Sequence, residues 1–111
     1  MKATVAYSSF EALDIRVGRI LTVEDSLARK PTYRLTIDFG PELGIKRSVG
    51  AYRKYAPEQL VGRQVVAVVN FGTKKMGPEV SDVLVLGANG PDDQVVFLTT
   101  ESEVPLGNAI Y

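Results

Sequence analysis

Residues 33 to 39 read YRLTIDF, and this stretch decides how the chain folds. Every second residue is apolar and the residues between them are polar, which is the pattern of a strand with one buried face. Residues 40 to 44 read GPELG, a composition typical of a turn. The alternation resumes over residues 45 to 52. The two alternating segments therefore predict a β-hairpin.

Further strands are predicted on both sides of this hairpin. Residues 15 to 23 read IRVGRILTV and predict a long first strand, in which Gly18 is the expected position of a β-bulge. Residues 63 to 70 and 80 to 87 are rich in valine and predict the fourth and fifth strands. Residues 94 to 99 predict a sixth, short strand.

Two short helices are predicted from their end signals. Ser8 and Glu11 have the spacing of a capping box, in which each side chain accepts a backbone N–H at a helix start. Residues 56 to 62 predict one short helix, because Pro57 suits a first turn and Gly62 suits a helix end.

The predicted order is three strands, a short helix and two strands, which is the order of the OB-fold, a small and partly open barrel. Other small barrels are compatible with the same pattern. We therefore predict an all-β fold with one or two short helices: a five-stranded OB-fold barrel with short N- and C-terminal extensions. The length of 111 residues suits a single domain over residues 1 to 111.

The composition makes several function classes improbable. The chain has no cysteine and no histidine, so the usual thiol nucleophile, general base and zinc ligands are missing. We predict no enzyme, no cofactor and no metal site. No apolar run reaches the ~20 residues that span a bilayer, and the N-terminus has no secretory signal, so we expect a cytoplasmic protein without membrane insertion.

Charge is unevenly distributed although the formal net charge is zero. Residues 45 to 75 hold seven basic residues and one acid, whereas residues 76 to 111 hold six acids and no basic residue. This segregation predicts a basic face opposite an acidic one, if the fold separates the two segments. The neutral total argues against a general polyanion binder.

Two segments carry a resemblance to a known family. Residues 10 to 20 read FEALDIRVGRI, and residues 63 to 71 read RQVVAVVNF, followed by KM at 75 and SDVLVLG at 81. They are similar to the tRNA-binding domain of aminoacyl-tRNA synthetases, their associated factors and small dimeric tRNA-binding proteins. The segments IDFG, YAPEQL, VVAVVNF and SDVLVLG most resemble those of the CsaA-like secretion chaperones of that family.

The resemblance implies an OB-fold, a homodimer and a binding surface around the fourth and fifth strands. The family's contact pattern matches Asn70, Lys75, Met76 and Ser81, and the neighbouring Phe71 and Lys74 complete the predicted ligand-binding set. Each residue has a structural alternative: a strand-end cap for the asparagine, a solvated hairpin tip for the lysines, loop packing for the apolar residues and a turn hydroxyl for the serine.

Two other groups of residues have alternative interpretations. Phe10, Leu13 and Ile110 are predicted at a dimer interface, although the monomer core is the alternative. Tyr52 and Tyr55 would form a stacking platform for single-stranded bases if exposed, whereas packing under the short helix would bury one of them.

The predicted function is that of a CsaA-like chaperone that binds unfolded or export-destined polypeptides, such as preproteins, without ATPase activity. A structure-selective tRNA-binding protein that uses the same surface is the alternative. Gly72, Thr73 and Gly77 stand where the family's tRNA binders commonly have basic residues or proline, and residues 27 to 31 lack a histidine-proline feature. These departures favour a polypeptide over tRNA as the ligand.

Overall fold

The computed structural model describes residues 1 to 28 and 32 to 111. Most of the segment at 27 to 31, where the sequence departs from the family's tRNA binders, lies outside the described residues. The helices are α1 (Tyr7–Glu11), α2 (Gly40–Leu43) and α3 (Pro57–Leu60). The strands are β1 (Ile15–Asp25), β2 (Tyr33–Asp38), β3 (Ile45–Gly50), β4 (Gln64–Val68), β5 (Lys74–Met76), β6 (Glu79–Ser81), β7 (Leu84–Val85), β8 (Gly87–Asn89) and β9 (Val95–Phe97).

Five strands form one sheet in the order β3-β2-β1-β4-β7. All of its pairings are antiparallel, so the edge strands β3 and β7 both run in the direction of β1. The sheet curls until these edges approach each other, and the backbone N–H of Asp82 donates to the carbonyl oxygen of Arg47 at 2.8 Å. The result is a nearly closed five-stranded barrel, which confirms the predicted OB-fold.

The predicted fifth strand, residues 80 to 87, is divided into three shorter pieces. β6 forms a hairpin with β5, β7 pairs with β4, and β8 forms a second hairpin with β9. The predicted sixth strand corresponds to β9. The division follows from the change of pairing partner, because each piece pairs with a different strand.

Gly18 is not at the bulge of β1, so that prediction was wrong. The register with β2 shifts between Ile20 and Thr22 instead. Glycine is needed at position 18 for space: a Cβ there would lie 2.6 Å from Cγ2 of Ile37 and 2.7 Å from Cε1 of Phe39. The close approach of these two side chains to the β1 backbone therefore explains this glycine.

The helix-end predictions had mixed outcomes. The capping box was wrong, because α1 has Ala6 as its N-cap and no side-chain cap, and Ser8 lies inside the helix. α3 begins at Pro57 as predicted but ends before Gly62, which adopts a φ of 90°.

Apolar residues form two clusters, one on each side of the sheet. The cluster inside the barrel includes Ile20, Leu35, Ile37, Phe39, Leu60 and Val65. The cluster on the outer face of β1 and β4 contains Ile15, Val17, Val66 and Val68, with Leu13, Leu86, Val104 and Ile110 packed against it. The C-terminal segment covers part of this outer face, since the N–H of Ile110 donates to the carbonyl of Ile15 at 2.8 Å.

Within the described ranges, no helix combines the length and apolar character needed to traverse a bilayer.

The Gly18→Ala substitution should destabilise the barrel. The added methyl group overpacks the core against Ile37 and Phe39, which costs about 1–3 kcal/mol of unfolding free energy. Urea unfolding followed by tyrosine fluorescence measures this loss. Glu58→Ala, at an exposed position, is the control and should change stability by less than about 0.5 kcal/mol. Equal stability of both variants would contradict the packing explanation.

Candidate functional site

A half-open cavity of about 530 Å³ lies between the two edges of the barrel. Its volume is within the range of roughly 300–1,000 Å³ that is usual for ligand pockets. The walls come from β3, β7, the loop at residues 71 and 72, and the two hairpins. Most wall residues are apolar: Val49, Val83, Val85, Val95, Leu84, Met76, Phe71, Tyr52 and Ala88.

The β5–β6 hairpin gives its two lysines different positions. Lys74 pairs with Ser81, Lys75 with Val80 and Met76 with Glu79. Because side chains alternate along a strand, Lys74 and Met76 share one face and Lys75 lies on the other. Accordingly, Lys74 and Met76 line the cavity and Lys75 does not.

Ser81 lies at the cavity wall but its hydroxyl is used within the protein. The side chain is buried, and its Oγ accepts the backbone N–H of Val49 at 3.2 Å and donates to the carbonyl of Val83 at 3.1 Å. These bonds connect β3 to the segment between β6 and β7. The geometry is that of the structural alternative, a hydroxyl that satisfies local backbone groups.

Asn70 also has intramolecular partners. Its Oδ1 accepts the N–H of Asp14 at 2.8 Å, and its Nδ2 donates to the carbonyl of Ala12 at 2.9 Å. A third bond joins the N–H of Val69 to the carbonyl of Asp14 at 2.8 Å. The side chain therefore clamps the end of β4 to the segment that follows α1, as the strand-end-cap interpretation requires.

Phe71 and Met76 supply adaptable apolar surface at the cavity. Phe71 is 60% exposed, an unusual state for a large aromatic side chain, and Met76 is half-buried. An exposed ring and a flexible thioether at one opening can accommodate apolar groups of varied shape.

A buried ion pair holds the β5–β6 hairpin to the barrel. Glu79 is 5% exposed, and its Oε2 accepts the N–H of Leu27 at 2.8 Å and a guanidinium N–H of Arg34 at 3.0 Å. The bond from Leu27, together with Arg34, holds the pKa of Glu79 below its usual value of 4.5. The hairpin that presents Lys74 is therefore anchored beside its turn by a carboxylate.

The fold does not keep the basic and acidic segments apart, so the expectation of two opposed faces was wrong. Arg47 pairs with Asp82 at 3.3 Å, and Lys54 pairs with Asp92 at 3.6 Å, which joins the basic segment to the acidic one. Among the described residues, Lys46, Lys74 and Lys75 take part in no ion pair. Among the same residues Lys2 and Arg63 also take part in no ion pair, so three of the five unpaired basic side chains are lysines of β3 and β5.

Both tyrosines of the proposed stacking platform are buried, which excludes the platform. Tyr52 and Tyr55 are 7% and 8% exposed. The Tyr52 hydroxyl lies 3.0 Å from Oγ of Ser48, and burial raises the pKa of this phenol. The Tyr55 hydroxyl accepts the N–H of Phe97 at 3.3 Å.

Of the residues predicted at a dimer interface, two lie on the outer face of the barrel and the third lies on α1, and none of them lines the cavity. Leu13 and Ile110 pack against the outer cluster of β1 and β4. Phe10 is 39% exposed, and its ring centroid lies 6.2 Å from that of Tyr7, which is 70% exposed. This end of the molecule therefore presents apolar surface to solvent in the monomer.

Sequence reasoning missed the opposite walls of the cavity. Val49 and Val85 were assigned to strands only, because a valine that lines a cavity and a valine in a core give the same alternating pattern. Only the curvature of the sheet brings these two residues to the same space. Within the described part of the chain, no three acidic residues are grouped as a metal site would require.

Comparison with known proteins identifies similar domains and chains. A family model described as "Putative tRNA binding domain" matches residues 15 to 109. The chaperone CsaA of Bacillus anthracis strain Ames is 41% identical, with a TM-score of 0.92, over 98% of this chain and 100% of that one. The CsaA chaperone protein of Picrophilus torridus is 39% identical, with a TM-score of 0.91, over 97% and 100% respectively.

A curated relative places the same domain in a much larger enzyme. The methionine–tRNA ligase of Methanothrix thermoacetophila is 37% identical over 109 residues, which covers 98% of this chain. The chain spans only 16% of the length of that relative. The match therefore concerns a small part of the ligase.

The Glu79–Arg34 pair should make stability depend on pH in the acid range. Because folding lowers the pKa of Glu79, its contribution is complete above the usual value of 4.5 and is lost as the pH falls through the folded-state pKa. Urea unfolding of the wild type and of Glu79→Gln between pH 7 and pH 3 measures this effect. The wild type should be more stable at pH 7, and the difference should shrink below about pH 4. A difference that is constant across this range would contradict the assignment.

Proposed function

The chain belongs to the family of putative tRNA-binding domains, and on that premise we propose that it is a CsaA-like chaperone for unfolded or export-destined polypeptides. In this proposal residues 1 to 111 act as one OB-fold domain without ATPase activity, other catalysis or a cofactor. Preproteins in the cytoplasm would be its clients. The observation that carries the proposal is the half-open apolar cavity with Lys74 on its wall.

The chemistry of the cavity suits a polypeptide better than a polyanion. Apolar side chains make up most of the wall, so an apolar side chain of the client would lose contact with water there. Lys74 would pair with an acidic side chain or a terminal carboxylate of the client. Phe71 and Met76, at the opening, would adapt to different client side chains, which suits a binder of many sequences.

We propose a homodimer that uses the outer face. Phe10 contributes exposed apolar surface there, and Leu13 and Ile110 border it. A second copy on this face would cover these side chains and leave the cavities of both copies open. Two cavities on one particle would bind a long extended chain with avidity.

Binding of tRNA by the same surface is the alternative function. The family model and the methionine–tRNA ligase relative favour it, as do the lysines of β3 and β5 that have no acidic partner among the described residues. A tRNA complex that neutralises several phosphates would lose affinity steeply with added salt. A polypeptide complex with an apolar anchor would depend on salt only weakly.

Substitution of the two adjacent lysines should separate their roles. We expect Lys74→Ala to weaken binding of an unfolded preprotein about two- to fivefold, because it removes a partly exposed charge pair at the cavity. Lys75→Ala, whose side chain lies on the other face of the hairpin, is the matched control and should bind like the wild type. Fluorescence anisotropy with a labelled preprotein measures both affinities.

A parallel titration with tRNA between 50 and 200 mM salt tests the alternative. If tRNA is the ligand, both lysine variants should weaken binding to a similar degree, and the salt slope should fall by about one for each lysine that contacts a phosphate. Tight binding of tRNA with no binding of the preprotein would overturn the chaperone proposal.

The Phe10→Asp substitution should convert the proposed dimer to a monomer, because a carboxylate at a covered apolar surface would lose its hydration. Sedimentation velocity at micromolar concentration measures this change. Val61→Asp is the control, since Val61 is 51% exposed and lies near α3, outside the proposed interface. A wild type that sediments as a single 12.1 kDa species would refute the dimer.

A further inference from the structure

The edge of β3 that faces the cavity is only partly hydrogen-bonded. The N–H and carbonyl of Arg47 both bond to Asp82, so they point away from β2. Backbone groups alternate in direction along a strand, so those of Val49 also point away from β2. The Val49 N–H donates to Ser81, but its carbonyl accepts no hydrogen bond from any other described residue.

The edge of β7 has the same property on the opposite side of the gap. The N–H of Leu86 donates to the carbonyl of Val66 at 2.9 Å, so Leu86 faces β4. By the same alternation, the N–H and carbonyl of Val85 point away from β4, towards the gap. In the described parts of the chain, neither group has a hydrogen-bonding partner, although Val85 is only 7% exposed.

These three backbone groups belong to buried residues that line the cavity. Backbone N–H and carbonyl groups in proteins are nearly all paired with protein, water or a ligand, so three groups that face one cavity without a partner among the described residues are available to a ligand. Two of them are carbonyl oxygens and need donors, and the third is an N–H and needs an acceptor. A peptide backbone offers both along a single extended segment.

We propose that an extended polypeptide segment enters the gap between β3 and β7 as an additional strand. Its N–H groups would donate to the carbonyls of Val49 and Val85, and one of its carbonyls would accept the N–H of Val85. The inference rests on the proposed chaperone function and specifies how the client is held. Recognition through the backbone does not depend on the client sequence, while alternate side chains would enter the apolar cavity.

The same groups argue against a phosphate of a nucleic acid in this position. A phosphate is an acceptor only, so the carbonyl oxygens of Val49 and Val85 would repel it. The lysines at the hairpin can attract acidic groups to the opening, but the inner edge of the cavity is built to receive N–H donors.

Peptide N-methylation tests the proposal, because it removes backbone N–H donors and keeps the side chains. The probe is a nine-residue peptide in which valine alternates with serine. Two counterparts carry N-methyl groups, one on the valines and the other on the serines. Because backbone groups alternate in direction along a strand, the N–H groups of the valines would face one edge and those of the serines the other. We expect the unmodified probe to bind and both counterparts to bind at least tenfold more weakly, by isothermal titration calorimetry.

Amide hydrogen exchange provides a second measurement on the protein itself. Saturation with the unmodified probe should slow exchange of the Val85 amide at least tenfold. The Leu86 amide is the internal control, because it is already bonded to Val66 and should change little. Exchange at Val85 that is unchanged by the bound probe would overturn the added strand.

The outcomes separate this inference from the proposed function. If the probe binds, Lys74→Ala weakens it and both methylated counterparts bind equally well, the cavity holds polypeptides by side chains alone and strand addition is wrong. If neither the probe nor an unfolded preprotein binds, the chaperone proposal itself fails. Binding that survives methylation of either set alone would show that one edge receives no donor from the client, and it would overturn insertion as a strand between both edges.

Discussion

The contact between Arg47 and Asp82 is the point on which the rest of the barrel depends. It joins the two edges of a sheet whose other pairings are antiparallel ladders. At this contact the backbone and the carboxylate of Asp82 bond to the backbone of Arg47, and the hydroxyl of Ser81 bonds to Val49. Side chains thus accept backbone N–H groups of β3 that would bond to a neighbouring strand in a continuous sheet. Beyond this point β3 and β7 bound the cavity, which is why a small barrel has an opening of useful size.

Two further interactions keep the walls of the opening in place. Glu79 and Arg34 anchor the hairpin that carries Lys74, and the bond from Leu27 ties the same carboxylate to the segment that follows β1. Asn70, which directly precedes Phe71, is fixed by side-chain bonds to the backbone of Ala12 and Asp14. Both anchors are long-range in sequence. The cavity is therefore supported by parts of the chain that lie far from its lining residues.

Particular residues illustrate how far the sequence could be interpreted. The alternation at 33 to 39 predicted β2 almost to its ends, because one buried face imposes a period of two. Gly18 was recognised as unusual but assigned to a bulge, since a glycine required for close packing has the same local signal as a bulge glycine. Ser81 and Asn70 were identified by resemblance, yet whether a polar side chain faces a ligand or its own backbone depends on neighbours that lie 32 to 58 positions away.

The sequence by itself determined the order of strands, the OB-fold and the family, because these follow from local alternation, turn residues and two contiguous motifs. Only the tertiary structure decided which of two adjacent lysines lines the cavity, since that depends on the register of Lys74 with Ser81 and not on composition. It also decided that Val49 and Val85 face the same gap. Strand direction and sheet curvature bring these two valines together, and the sequence around each valine determines neither of them.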